Sequence, residues 1–270
     1  MANRALLVVD MQNGFCHPDG SFPRIGMGLE DAGDAVRNAA VAVAQARRAA
    51  IPVVFTRHVY RPGRPDEGAA LIRNSPALAG INGLAAGFWD ADVVDELGCG
   101  PEDLVVDKVR FDAFQWTSLE PLLRGLGVRE LVVCGVVTNL CVETTVRSAF
   151  MRDYPVTLLA DCCAAKTRRL HELSVEVLTS YELAEIARVS EGWDVGAFSQ
   201  LDRPSSADQR NRAKVGLPRA RICSSRSSAA RALPRACACL SARSASMFRR
   251  SSATLDSACR RSASMAAMPA

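Results

Sequence analysis

Along the first two hundred positions, short apolar runs alternate with longer stretches in which apolar residues recur at helical spacing. The runs ALLVV (5–9), PVVFT (52–56), DLVVD (103–107), ELVVCGV (130–136), VTLLA (156–160) and AEIARV (184–189) predict six strands. They are continuously apolar rather than alternating, as strands are when helices cover both faces of a parallel sheet. Helices are predicted over 31–49, 117–126, 139–152 and 168–179, and RRAAIP and RGLGVRE read as exits from a helix into the next strand. The alternation predicts an α/β domain over residues 1–203, with a doubly wound, mostly parallel six-stranded sheet and helices on both faces. Two connections, 11–28 and 58–88, are long and punctuated by Gly and Pro. Such segments are commonly lids or pocket walls, although HVYRPGRPDEG (58–68) reads equally well as a solvated loop.

The pattern ends near Arg203. Residues 204–270 are dominated by Arg, Ser, Ala and Cys, with one aromatic, Phe248, and no sustained period. Such a segment buries too little apolar area to offset its ordering entropy, so a disordered tail is predicted. Scattered arginines would suit an RNA-binding arm, and the composition also fits a GC-rich gene read out of frame. Disorder without function is the preferred expectation. Charge divides at the same place. Residues 201–270 hold 14 Lys/Arg against 3 Asp/Glu, leaving 19 against 26 for the first 200. The overall +4 therefore hides a mildly acidic body, which gives no electrostatic reason to expect nucleic acid.

No run reaches 18 apolar residues, and ALLVV is too short for the apolar core of an export signal. The body's six cysteines form no CxxC pair, which reads as free thiols in a reducing compartment. A cytoplasmic protein is expected, a homo-oligomer with a small-molecule substrate and neither membrane nor nucleic acid as partner. His17, His58 and His171 lie far apart and only His17 has a cysteine beside it, the adjacent Cys16, so neither metal nor other cofactor is expected.

In open α/β sheets, ligands sit beyond the carboxyl ends of the strands. The first predicted strand ends in Asp10, the third leads into Lys108, and the fourth delivers Cys141 at the start of the following helix. Each has a plain alternative: a turn residue, a solvated charge, a small core hydrophobe. Finding carboxylate, ammonium and thiol at one edge of one sheet favours chemistry. A thiol at a helix N-terminus near an ammonium is expected to have a lowered pKa. A neighbouring carboxylate can take its proton and later deliver it to a leaving nitrogen. If the GVVTNLC turn is tight, the backbone amides of Val137 and Cys141 converge as an oxyanion hole.

The segments VVDMQNGF, DKVRFDAFQWTSLEPLLRGLGVREL and CGVVTNLCVETTVRSAF together resemble the isochorismatase-like cysteine hydrolases, over residues 5 to about 190. The resemblance implies that family's fold, an Asp10–Lys108–Cys141 catalytic triad, and a cis peptide between Val136 and Val137. TNLCVETT, GFWDADVVDEL and PEDLVVDKVRFDAF look most like the ureidoacrylate and carbamoyl-amide branch. Isochorismatases proper lack the nucleophilic cysteine. Nicotinamidases carry an Asp/His metal cluster after the second strand, where this chain has a single histidine. The expected activity is cysteine-dependent hydrolysis of the C–N bond of a small linear amide, ureido or carbamoyl compound through a thioester acyl-enzyme. The alternatives are a non-catalytic binding protein of the same fold and a nicotinamidase-type amidase. Candidate substrate-binding residues are Asn13, Phe15, Arg110, Phe114, Gln115, Trp116 and Asn139, with Arg110 or Arg57 as a fork for a carboxylate.

Because the body already holds the full strand–helix alternation, truncation after Asp202 should leave catalytic activity and melting temperature nearly unchanged. Loss of activity, or dissociation of an oligomer on gel filtration, would make the tail a working element.

Overall fold

The computed structural model describes residues 3–193 apart from 75 and 192, and the predicted tail, 204–270, lies outside the described residues. Six strands, β1 (Arg4–Val9), β2 (Val53–His58), β3 (Leu104–Lys108), β4 (Glu130–Val136), β5 (Val156–Ala164) and β6 (Glu185–Ala187), form one sheet in the order β3-β2-β1-β4-β5-β6. Every pairing is parallel. The six residues of β1 are all buried, as are all but the first of β4, so both faces are covered, which is why these runs do not alternate. β6 is shorter than the predicted 184–189, at the sheet's edge.

The main helices fall where predicted: α3 (Ala32–Arg48), α6 (Leu119–Gly125), α7 (Glu143–Phe150) and α8 (Arg168–Ser180). Ala35, Val36, Ala39, Ala42, Val43 and Ala46 bury one stripe of α3. Small side chains let this helix sit close to the sheet. The two long connections fold as short helical pieces: α1 (Asn13–Cys16) and α2 (Ser21–Arg24) in the first, α4 (Ala69–Asn74) and α5 (Pro76–Gly80) in the second. The predicted helix over 139–152 is divided. Thr138–Val142 form a π-helical turn before α7, because the N–H of Val142 reaches back to the Val137 carbonyl at 3.2 Å.

The chain winds outward from β1 through β2 to β3, then crosses to β4 on the other side of β1. The strand order therefore reverses between β1 and β4, and a crevice opens there beyond their carboxyl ends. Gly135, opposite Val9 in the ladder, makes that approach possible. Its φ is +127°, and a Cβ built on it would stand 2.0 Å from the Val9 carbonyl oxygen. Gly135→Ala should therefore cost more than about 4 kcal/mol of stability, from steric overlap with backbone that cannot move aside. A denaturant midpoint within error of the parent's would refute this.

Candidate active site

Three strand ends supply the polar centre. Asp10 follows β1 with φ +51°, a left-handed kink that turns its side chain out of strand alternation. Thr56, on β2, fixes it: the hydroxyl donates to Asp10 Oδ1 at 2.7 Å and lies 3.2 Å from the Asp10 amide. Lys108 ends β3, two strands away, so about 10 Å of sheet separates its backbone from β1. Only a long side chain spans that. The Lys108 ammonium reaches Asp10 Oδ2 at 2.6 Å and donates to the Arg110 carbonyl at 2.9 Å. Both charged side chains have zero solvent exposure.

Cys141 enters from the opposite side of the crevice on the π-helical turn. The Leu140 and Val142 amides both close on the Val137 carbonyl, at 3.0 and 3.2 Å, so the turn is tight. The Val136–Val137 peptide is cis. The buried thiol lies within 4.8 Å of an Asp10 carboxylate oxygen, and the charges of both Lys108 and Asp10 act on it. α8 braces the turn from behind, through His171 Nδ1 on the Thr138 hydroxyl at 3.0 Å and Ser174 on the Glu143 carboxylate at 2.6 Å. His171 is thus a structural partner of the turn.

The electrostatics correct one expectation. Burial pushes the Cys141 thiol up to about 12; the Lys108 charge pulls the other way and Asp10 adds to the rise. The predicted lowering at a helix terminus is outweighed by desolvation. Burial by itself would lower Lys108, but Asp10 and Cys141 more than offset it and its pKa is raised. Both shifts run toward the protonated forms of the thiol and the amine.

His58, the last residue of β2, stands between these groups and was not among the residues singled out for the site. Its position has a sequence signal, since it ends a strand beside Asp10 and Lys108. Its Nε2 lies 2.8 Å from the Tyr60 hydroxyl, and Gln12 brackets its backbone by accepting from the amide at 2.7 Å and donating to the carbonyl at 3.1 Å. Burial, then the charges of Lys108, Arg64 and Arg110, hold its pKa well below 6.5, so the ring is neutral. Among the described residues, Asp10, His58 and Cys141 bring potential metal-ligating atoms within 4.8 Å of one another. Spacing along the chain gave no hint of this set, because the fold assembles it from the ends of β1 and β2 and the turn after β4. A cation there would compete with the Lys108 ammonium already on Asp10.

Against the thiol lies a cavity of about 50 Å³. Phe15, Phe22 and Met27 line it from the first long connection, and Tyr60, Leu71, Leu78 and Leu84 from the second. Phe111, Val137 and Leu140 complete the lining with His58 and Cys141. The 58–68 segment divides: His58 and Tyr60 are wall, while Arg61, Pro62, Gly63 and Pro65 are exposed. Arg64 fastens it with two 2.7 Å bonds to the buried Glu67, one of 2.8 Å to the Gly83 carbonyl, and its guanidinium over the Tyr60 ring.

Of the predicted substrate-binding residues, Phe15 lines the cavity. Asn13 instead donates to the Trp89 carbonyl at 3.0 Å and holds the 89–92 turn. Phe114 stacks on Tyr154 with centroids 6.1 Å apart, away from the lining, while Phe111 turns toward it. Gln115 is partly exposed, and Trp116 is 75% exposed under the Arg110 guanidinium. Arg110 donates to the carbonyls of Asp66, Glu67 and Val109. Arg57 pairs with Asp107 and Asp92. Asn139 adjoins the cavity in sequence, with its buried Oδ1 unpartnered.

The isochorismatase domain family matches residues 4–191. The ureidoacrylate amidohydrolase RutB of Methylobacterium radiotolerans is 36% identical over 221 residues, covering 76% of this chain and 82% of the relative. RutB of Pseudomonas syringae pv. syringae is 37% identical over 58% of this chain and 69% of its own length. Among solved structures, a cysteine hydrolase from Pseudomonas syringae pv. phaseolicola superposes with a TM-score of 0.63 at 30% identity, over 70% of this chain and 90% of that one. N-carbamoylsarcosine amidase from Thermoplasma acidophilum gives 0.55 at 26% identity, over 68% and 95%. With its strand order, its buried ion pair and this match along nearly the whole described sheet, the chain belongs to the isochorismatase family.

Proposed function

We propose that the protein is a cysteine-dependent amidohydrolase that cleaves the C–N bond of a small linear amide, ureido or carbamoyl compound. One observation carries the reading: the thiol of Cys141 lies within 4.8 Å of the carboxylate of a fully buried Asp10–Lys108 ion pair, at the point where strand order reverses. The likeness to proteins named ureidoacrylate amidohydrolase and N-carbamoylsarcosine amidase supports the same bond class.

The raised thiol pKa sets the order of events. A neutral thiol is a weak nucleophile, so its proton must leave as the sulfur attacks, and Asp10 is the carboxylate within 4.8 Å of it. Lys108, 2.6 Å from that carboxylate, steadies the thiolate as it forms. Sγ bonds to the carbonyl carbon, and the oxyanion is received by the backbone amides of Val137 and Cys141. Collapse breaks the C–N bond, with Asp10 returning its proton to the departing nitrogen, which leaves as ammonia or an amine. Asp10 then takes a proton from water, whose oxygen attacks the thioester. The acid is released and the thiol is restored.

Cys141→Ala should lower ammonia release by at least about a thousandfold while the melting temperature moves little. Activity surviving that substitution would remove the nucleophile from the scheme. The raised pKa adds a pH test. A thiol with its pKa above the ordinary value remains protonated for longer as pH rises. Alkylation of Cys141 by iodoacetamide should therefore still be accelerating at pH 9.0, the usual thiol value. A rate that levels off below that value, read by mass spectrometry of the Cys141 peptide, would contradict the neutral resting state.

A further inference from the structure

We infer that His58 and Tyr60 act as one substrate-contacting unit: bonded to each other, they leave a single hydrogen-bond donor in the cavity beside the thiol, and that donor meets an oxygen of the bound acyl group. This rests on the amide-cleaving reading above and adds to it the groups that hold the acyl part in place.

Position comes first. His58 and Tyr60 line the same cavity as Cys141. A ring nitrogen of His58 lies within 4.8 Å of both the Cys141 Sγ and an Asp10 carboxylate oxygen. An acyl group on that sulfur is thus formed next to the imidazole. Both members of the pair are also held. Gln12 brackets the His58 backbone with bonds of 2.7 and 3.1 Å, and the Arg64 guanidinium sits 4.0 Å from the centre of the Tyr60 ring. A polar group fixed in this way need not be ordered when substrate arrives.

The donor follows from the protons of the pair. Burial, then the charges of Lys108, Arg64 and Arg110, keep the imidazole neutral, with one N–H. Burial raises the Tyr60 hydroxyl, which therefore keeps its O–H. The pair holds two protons, and the 2.8 Å contact between Nε2 and the hydroxyl uses one of them, whichever way it points. If the hydroxyl donates, the free proton is on Nδ1; if the ring donates, it is on the hydroxyl. Either way, that proton has no acceptor among the described residues. A donor left unmet in a buried site is destabilising, so a substrate oxygen that meets it gains accordingly. An uncharged donor suits a carbonyl or a carboxylate oxygen.

Covalent labelling tests the contact without turnover. Iodoacetamide leaves a carbamoylmethyl group on Cys141, which carries a carbonyl oxygen. Methyl methanethiosulfonate leaves a methylthio group, which carries none. In proton spectra of the full chain, the free proton of the pair should exchange with solvent at least about tenfold more slowly under the first label than under the second. Cys141→Ala should abolish the difference. Equal exchange under the two labels, with Cys141 fully modified, would overturn the inference. Kinetics supply a second test. His58→Leu combined with Tyr60→Phe removes both protons and should lower kcat/KM for ammonia release by at least about tenfold, whereas Tyr60→Phe alone keeps the imidazole N–H and should lose less. A double variant with the parent's melting temperature and kcat/KM within about twofold of the parent's would also overturn it. Failure of the parent enzyme to release ammonia from neutral amides and ureido acids, alongside the slowed exchange, would instead count against the amide-cleaving reading alone.

Discussion

A carboxylate and an ammonium with no exposure to solvent, 2.6 Å apart, are the constraint around which this sheet is arranged. Burying either alone costs several kcal/mol, so the two must meet with good geometry and further hydrogen bonds. Thr56 supplies one on the carboxylate side and the Arg110 carbonyl one on the ammonium side. The left-handed turn at Asp10 and the reach of Lys108 across β2 exist in service of that contact. Cys141 completes the group from the far side of the crevice, and the close pairing of β4 with β1 depends on the missing Cβ at Gly135.

Division of labour follows from where each part sits. Reactive groups stand on strand ends and on a braced turn, where backbone ladders fix them. The walls of the cavity come largely from the two long connections, held by a few side-chain bonds such as Arg64 to Glu67. The walls also shape the chemistry. By shielding the thiol from water they raise its pKa to about 12.

Much of this was legible in the sequence, for physical reasons. Continuous apolar runs such as ALLVV mark strands buried on both faces, and Asp10, Lys108 and Cys141 are conspicuous as polar residues at the ends of such runs. His58 was less visible because it closes its strand without interrupting it, and its surroundings come from distant segments. Phe111 and Phe114 are three residues apart, yet one faces the cavity and the other packs on Tyr154. That choice is made by the irregular path after β3, which has no period to read. Arg110 has the chemistry of a carboxylate fork, and only the backbone carbonyls around it reveal its other engagement.

Asp90 joins the two walls through a single side chain. One oxygen accepts from the Ser21 amide at 2.8 Å and the other from the Leu84 amide at 2.6 Å, and Gly14 leaves the room the carboxylate needs. Neither connection can therefore drift alone over evolutionary time. An insertion near Ser21 would pull the carboxylate off Leu84 unless the other segment shifted to match. Relatives that change specificity by remodelling one wall are expected to carry paired length changes in both, or to have replaced Asp90 and released the two loops to diverge independently.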